Sequence, residues 1–169
     1  MTESARSDPR AAAPEDPATS TDDVLALENQ VCFALVVASR SVLSLYRPVL
    51  EPLGLTHPQY LVMLALWSED RRSAGNLAAT LALEPATLSP LLKRLEAAGL
   101  VTRRRSESDE RVLLIQLTEK GRTLRQEAEA IPQKIVAQLG MAIDELEALR
   151  SSLHAVTAAA AAAPASSAA

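Results

Sequence analysis

Apolar positions recur along this chain with two different periods, and the change of period places a hairpin among helices. Leu88, Leu91, Leu92 and Leu95 follow the i, i+3, i+4, i+7 rule of a helix with one buried stripe. Gly99 ends that helix. Its start is open: it begins at Glu84–Pro85, or only at Leu88 with Thr87 as cap, which would place Pro90 in the first turn. VTRRR and RVLLIQL then read as two strands joined by SESDE. Upstream, Thr56 caps a helix over HPQYLVMLALWSE, with Pro58 in its first turn, and Ser73 caps the short AGNLAATLA. Downstream, Thr118 caps a long helix expected to kink at Pro132. After Gly140, Leu146, Leu149, Leu153 and Val156 make another one-sided stripe.

The first helix is different. Its predicted start lies near Thr21 to Asp23, and it runs through LENQVCFALVVASRSVLSLY to end before Pro48. Its middle is apolar on nearly every side, which implies burial all round. A second subunit packed against it is the economical explanation. Residues 1–20 read as a disordered tail, and 158–169 as an Ala-rich low-complexity tail whose alanines extend the last helix before Pro164. The folded domain spans 21–157, with a lobe at about 56–118 between helical segments at about 21–47 and 119–157.

Composition excludes several classes of function. One Cys and two His build no zinc site within one chain and no intrachain disulfide. Five scattered glycines form no phosphate-cradling loop, and four aromatic residues are too few for rows of base-stacking side chains. No unbroken apolar run is longer than Val31–Ala38, which is far short of the ~20 residues of a membrane span, and no secretory signal is visible. A cytoplasmic protein without cofactor or metal is therefore expected. The net charge of −4 hides a split: residues 71–125 carry eleven basic and six acidic side chains, a local +5. Such a face attracts phosphates despite an acidic total, because distant charges are screened.

Short helix, turn, second helix and hairpin is the order of a winged helix-turn-helix, a mainly α fold with a small β-hairpin. A helix of this kind fills the major groove of double-stranded DNA. With the leucines buried, its outward positions are Pro85, Ala86, Thr87, Ser89, Pro90, Lys93 and Arg94. The hairpin offers Arg103, Arg104, Arg105 and Arg111, and an arginine at its tip suits the negative potential of a narrow minor groove. Asp109, two residues before Arg111, is placed to hold that guanidinium.

The stretch LLKRLEAAGLVTRRRSESDERVLLIQLTEKG resembles the signature of the MarR (multiple antibiotic resistance regulator) family, with DER at 109–111 as its D-x-R wing motif. LENQVCFALVVASR and YRPVLEPLGLTHPQYLVMLALW are similar to the organic hydroperoxide resistance (OhrR) branch. The resemblance covers roughly Leu27 to Val156. It implies a homodimeric repressor whose first and last helices interlock and whose wings bind a pseudo-palindromic operator. It also implies a role for Cys32. By the residues alone, a lone Cys in an apolar helix is a small hydrophobe or a reactive thiol. The resemblance makes it the peroxide-sensing residue of a single-cysteine regulator, with a low-molecular-weight thiol or over-oxidation completing the response.

In the family two tyrosines of the other subunit hydrogen-bond the sulfur. Tyr46 matches the first, His57 stands at the second, and Val36 replaces a further tyrosine four residues after the cysteine. His57 is either a hydrogen-bond donor or protonated partner of the thiolate, or a surface residue of its helix. Glu84–Pro85–Ala86 replaces the branch's usual Asp–Ser–Gly, which leaves open a different or a degenerate operator, while Thr87 and Ser89 keep hydroxyls in place. Tyr60 and Trp67 read as core, and His154 as exposed. Three other readings compete: a regulator released by a small apolar or phenolic ligand with Cys32 structural, a thiol peroxidase, and a helical interaction module without nucleic acid. The peroxidase lacks a resolving cysteine and a peroxidatic Thr/Cys/Arg motif.

Overall fold

The computed structural model describes residues 23–163, so the predicted cap at Thr21, the 1–20 tail and the end of the Ala-rich tail lie outside the described residues. The chain divides into two units, residues 1–38 and 39–169. In the first, a one-turn 3-10 helix at Leu27–Asn29 precedes α1 (Val31–Leu50), which continues into the second. The predicted start near residue 21 is corrected. The Asn29 and Gln30 side chains bond back to the carbonyls of Asp23 and Val24, and the Leu25 N–H donates to Asp23 Oδ1. These local polar bonds offer the backbone an alternative to the helix. The predicted end is corrected as well, because α1 passes through Pro48 in its last turn, where only one ladder bond is lost.

In the second unit α2 (His57–Ser68) starts at Thr56, whose N–H and hydroxyl both donate to Gln59 Oε1, at 2.8 and 2.9 Å. A two-residue strand β1 (Arg72–Ser73) leads into α3 (Ala74–Thr80), where Ser73 Oγ accepts from the Asn76 N–H. The second helix of the motif, α4 (Pro85–Ala97), begins with Pro85 in its first turn. Of the two predicted starts the earlier holds, and Pro90 is interior. Its ring stands on the exposed side, away from the leucine stripe. Gly99 (φ 70) and Gly140 (φ 64) close their helices in the left-handed region.

Strands β2 (Val101–Arg105) and β3 (Leu113–Leu117) form the hairpin, and β3 also pairs with β1, giving an antiparallel sheet in the order β1-β3-β2. Arg103 pairs with Ile115, Arg104 with Leu114, and Arg72 with Ile115 on the other side. β3 starts two residues later than predicted, because the Asp109 turn occupies Arg111 and Val112. Thr118 caps α5 (Glu119–Ala128) as expected. The kink at Pro132 is corrected to a full break. α5 ends at Ala128 and α6 (Ile131–Leu139) starts anew with Pro132 in its first turn, since a continuous helix would drive that ring into the carbonyl of Ala128. The last helix, α7 (Ile143–Ala162), runs into the alanines as expected.

The core joins Leu50, Val62, Met63, Leu66, Leu77, Leu88, Leu95, Ile115 and Ile131. The predicted stripe of α4 is thus the face that packs against α2, α3 and β2. Tyr60 is buried and Trp67 half-buried, as read from sequence. Apolar side chains are left uncovered at Val24, Leu25, Val31, Phe33, Val36 and Val37 in the first unit, and in the second at Leu43, Leu64 and Met141 and at Ile143, Leu149, Leu153 and Val156 on α7. By length and composition Val31–Leu53 is also long and apolar enough to cross a membrane.

Candidate nucleic-acid interface

The leucine stripe that fixes α4 in the core also decides what the helix shows to solvent. All seven predicted outward positions, Pro85, Ala86, Thr87, Ser89, Pro90, Lys93 and Arg94, are exposed. Small groups stand at its N-terminal end and long cations two turns later, which lets the helix approach a groove closely at one end and reach phosphates at the other.

The hairpin sorts its arginines by face. Arg103 lies on the core side and is tied to Glu96 of α4 at 2.6 Å (Nη2) and 2.7 Å (Nε), with only 24% of its side chain exposed. It braces the wing against the helix, and is the least available of the predicted DNA contacts. Arg104 is exposed on the opposite face. Arg105 Nη1 donates to the Glu110 carbonyl at 2.7 Å and ties the wing loop down. At the tip, Asp109 Oδ1 accepts from both the N–H of Arg111 (3.0 Å) and its Nε (3.2 Å). The Arg111 side chain remains 92% exposed while Asp109 is 41% exposed. The carboxylate therefore aims the guanidinium without covering it, which is the arrangement expected from the D-x-R spacing.

Sequence reasoning missed the group that fastens this lobe together. Asp70, just after α2, accepts from the Leu117 N–H (2.8 Å), the Arg71 N–H (2.8 Å) and Arg122 Nη2 (2.9 Å). Burial works against its charge, but the bonds from Leu117, Arg122 and Arg71 outweigh it and hold the carboxyl below its ordinary value. An acid beside two arginines reads as a solvated surface; only sequence-distant partners reveal the hub.

The residues predicted around the thiol belong to both units. Cys32 is exposed, in the first turn of α1. Tyr46 and His57, both in the second unit, meet edge to face with ring centroids 4.8 Å apart. Burial lowers the His57 imidazole below its ordinary value and favours the neutral form, so of the roles open to it the protonated one loses ground. Burial, with the neighbouring Tyr46 adding, raises the Tyr60 hydroxyl. His154 is exposed as expected. Among the described residues no group of three or more His, Cys, Asp or Glu could hold a metal ion.

Comparisons with known proteins agree with this geometry. The model of the family described as transcriptional regulator SarA/Rot matches residues 44–128. The organic hydroperoxide resistance transcriptional regulator of Bacillus subtilis (strain 168) is 42% identical over 132 residues, which is 78% of this chain and 90% of that one. Reduced AbfR bound to DNA, a protein of Staphylococcus epidermidis, is 37% identical with a TM-score of 0.64, covering 78% of this chain and 91% of that one. The repressor CouR of Rhodococcus jostii RHA1, bound to a 23-mer DNA duplex, is 30% identical with a TM-score of 0.71, covering 78% and 94%.

An exposed helix face beside an arginine-bearing hairpin, on a fold shared with DNA-bound proteins, defines a winged-helix transcriptional regulator that binds double-stranded DNA. The chain belongs to the MarR family, in its single-cysteine organic hydroperoxide resistance branch.

Proposed function

We propose that the protein is a homodimeric repressor that releases its operator when an organic hydroperoxide oxidises Cys32. The observation that carries this reading is the position of the single cysteine: it is exposed among uncovered apolar residues of α1 in a chain otherwise built to hold DNA. The apolar side chains of the 24–37 region and of α7 are buried against a second copy, so the helices at about 21–47 and 119–157 dimerise and the lobe at about 56–118 binds DNA. In this reading α1 is covered by protein rather than by lipid, and the regulator works in the cytoplasm. Two wings then meet half-sites about one helical turn, ~34 Å, apart on a pseudo-palindromic operator. Thr87, Ser89, Lys93 and Arg94 enter or flank the major groove, Arg111 enters the minor groove under the control of Asp109, Arg104 and Arg105 contact the backbone, and Arg103 positions the wing.

The sensing step is thiolate chemistry. The Cys32 sulfur attacks the peroxide O–O bond and becomes a sulfenic acid, and the leaving alkoxide takes up a proton as alcohol. A low-molecular-weight thiol then condenses with the sulfenic acid, forming a mixed disulfide and water. Solved forms of AbfR support a redox reading of the fold, for they include reduced, disulfide and over-oxidised states. The over-oxidised AbfR is bound to DNA, which favours the mixed disulfide as the releasing species here. Its bulk in a packed interface selects a different arrangement of the two lobes. The partner's Tyr46 and a neutral His57 hydrogen-bond the sulfur.

A second reading has its own support. CouR is also solved with p-coumaroyl-CoA, and this chain has an apolar cavity at Tyr60, Leu64, Trp67, Ala128 and Pro132 with Arg125 and Glu129 on its lining. In that reading a small apolar or phenolic ligand releases DNA and Cys32 is structural. Titrating a DNA-bound sample with an organic hydroperoxide in the presence of a thiol separates the two. The parent releases DNA and Cys32→Ser does not; equal release by both refutes the redox reading.

A further inference from the structure

Most arginines around the wing already have a partner. Arg72 is tied to Glu69, Arg103 to Glu96, Arg111 to Asp109 and Arg122 to Asp70, while Arg105 holds a carbonyl. Arg71 and Arg104 have no carboxylate within ion-pair distance among the described residues, and the two line one groove on the outer face of the sheet. Strand register explains why they share it. Ser73–Leu114–Arg104 form one row across β1, β3 and β2, and Arg71 precedes the next row, beside Gln116 and Thr102. The groove is lined by three arginines, of which Arg105 already holds the Glu110 carbonyl, together with the hydroxyl of Thr102, the amide of Gln116 and one acid, Glu107.

Arg71 is also held in a backbone conformation that does not suit it. Its φ is 64°, a left-handed value that is strained for an L-residue with a side chain and that Gly or Asn adopts far more readily. The Asp70 hub enforces it, since Asp70 Oδ1 accepts both the Arg71 N–H and the Leu117 N–H. A strained residue that the surroundings over-determine, with its charge unneutralised, points to a function for the side chain.

We propose that this outer groove is a phosphate-binding site for the DNA backbone flanking the minor groove that Arg111 enters, with Arg71 and Arg104 as its ligands. Arg104 pairs with Leu114 near the start of β3, and Arg111 lies three residues earlier, in the turn that precedes the strand. Three residues reach at most about 10 Å, a span comparable with the ~7.5 Å depth of the minor groove. A tip at the groove floor therefore leaves Arg104 level with the sugar–phosphate strand, where paired guanidinium groups bind phosphate in fork geometry. The proposal rests on the DNA-binding role of the wing and adds Arg71, from outside the hairpin, to its contacts.

The test uses the full chain and a fluorescent duplex from the region upstream of its own coding sequence, with affinity measured over a range of salt. Arg71→Gly removes the guanidinium and relaxes the left-handed strain, so it keeps the fold, which thermal melting confirms. The expected result is weaker binding to operator and to unrelated duplex alike, with a log–log salt slope lower by about 0.9 for each phosphate that a protomer no longer neutralises. Arg71→Lys, which keeps the charge, retains most of the slope. Parental affinity and slope in Arg71→Gly, alongside weakened binding by Arg111→Ala, overturn the groove and leave the wing's role standing. Parental binding by Arg111→Ala as well overturns both.

Discussion

A single methyl group at Gly121 tests whether the lobe is assembled as described. Gly121 lies in the first turn of α5, against the segment that links α4 to β2. A Cβ built there falls 2.1 Å from the carbonyl oxygen of Leu100 and 3.3 Å from Leu117 Cδ2. Ordinary contact requires the helix to withdraw by about 1 Å, and the nearest neighbour, the Leu100 carbonyl, is backbone, which yields little in a close-packed interior. The same carbonyl accepts from the Thr118 N–H (3.0 Å) and the Thr118 hydroxyl (3.1 Å), and Gly121 O accepts from Trp67 Nε1 (2.9 Å). Weakening two or three such bonds costs roughly 0.5–1.5 kcal/mol each, and overpacking adds roughly 1–3 kcal/mol. Ala gains back about 1 kcal/mol of helix propensity. Gly121→Ala is therefore expected to lose between about 1 and 6 kcal/mol in urea unfolding at fixed protein concentration. Trp67 is the single tryptophan, so its emission reports the loss of its bond to Gly121 directly. Gly75, with nothing within 4 Å of its Cβ position, is the control: Gly75→Ala is neutral or stabilising by up to about 1 kcal/mol. If Gly121→Ala matches the parent in midpoint and emission, the docking of α5 is wrong.

Two further perturbations probe the same lobe. Asp70→Asn is expected to cost about 1–3 kcal/mol at neutral pH, from a weakened acceptor for two N–H groups and the Arg122 guanidinium. Because the folded Asp70 carboxyl sits below its ordinary value, its stabilisation is complete above the unfolded value near pH ~3.9 and disappears as pH falls through the folded one. The gap between parent and Asp70→Asn should therefore close in acid, read by urea midpoints from neutral pH downward; a gap that persists unchanged contradicts the charge assignment. Ala82, at φ 50°, carries left-handed strain between α3 and α4. Ala82→Gly is expected to raise stability by about 0.5–1 kcal/mol, the strain relieved less the entropy glycine loses, and a lower melting temperature refutes this.

What could be read from sequence follows from how local each signal is. The leucine stripe of α4, the caps at Ser73 and Thr118, Gly99 and the Asp109–Arg111 pair involve residues within a few positions of one another, and all stand where periodicity and spacing place them. The start of α1 misleads because VLALEN has helical spacing, while the side chains of Asn29 and Gln30 satisfy the turn before it. The break between α5 and α6 falls at Glu129 and Ala130, which carry no breaking signal; Pro132 acts from the next helix. β1 has two residues, too few for any alternation to show. Within the interface, sequence supplied the exposed face of α4 and the wing arginines but not their division of labour. Arg103 faces a carboxylate contributed by another element, and Arg71 reaches the outer groove only through β-pairing and the Asp70 hub.

The most direct test follows one DNA-bound sample through an organic hydroperoxide titration in the presence of a low-molecular-weight thiol. Intact-mass measurement gives the fraction of Cys32 carrying the thiol, and fluorescence anisotropy gives the fraction of DNA released. The account predicts that the two fractions rise together and return together when a reductant removes the adduct. Complete thiol addition at Cys32 with DNA still bound, or release with Cys32 unmodified, would contradict it.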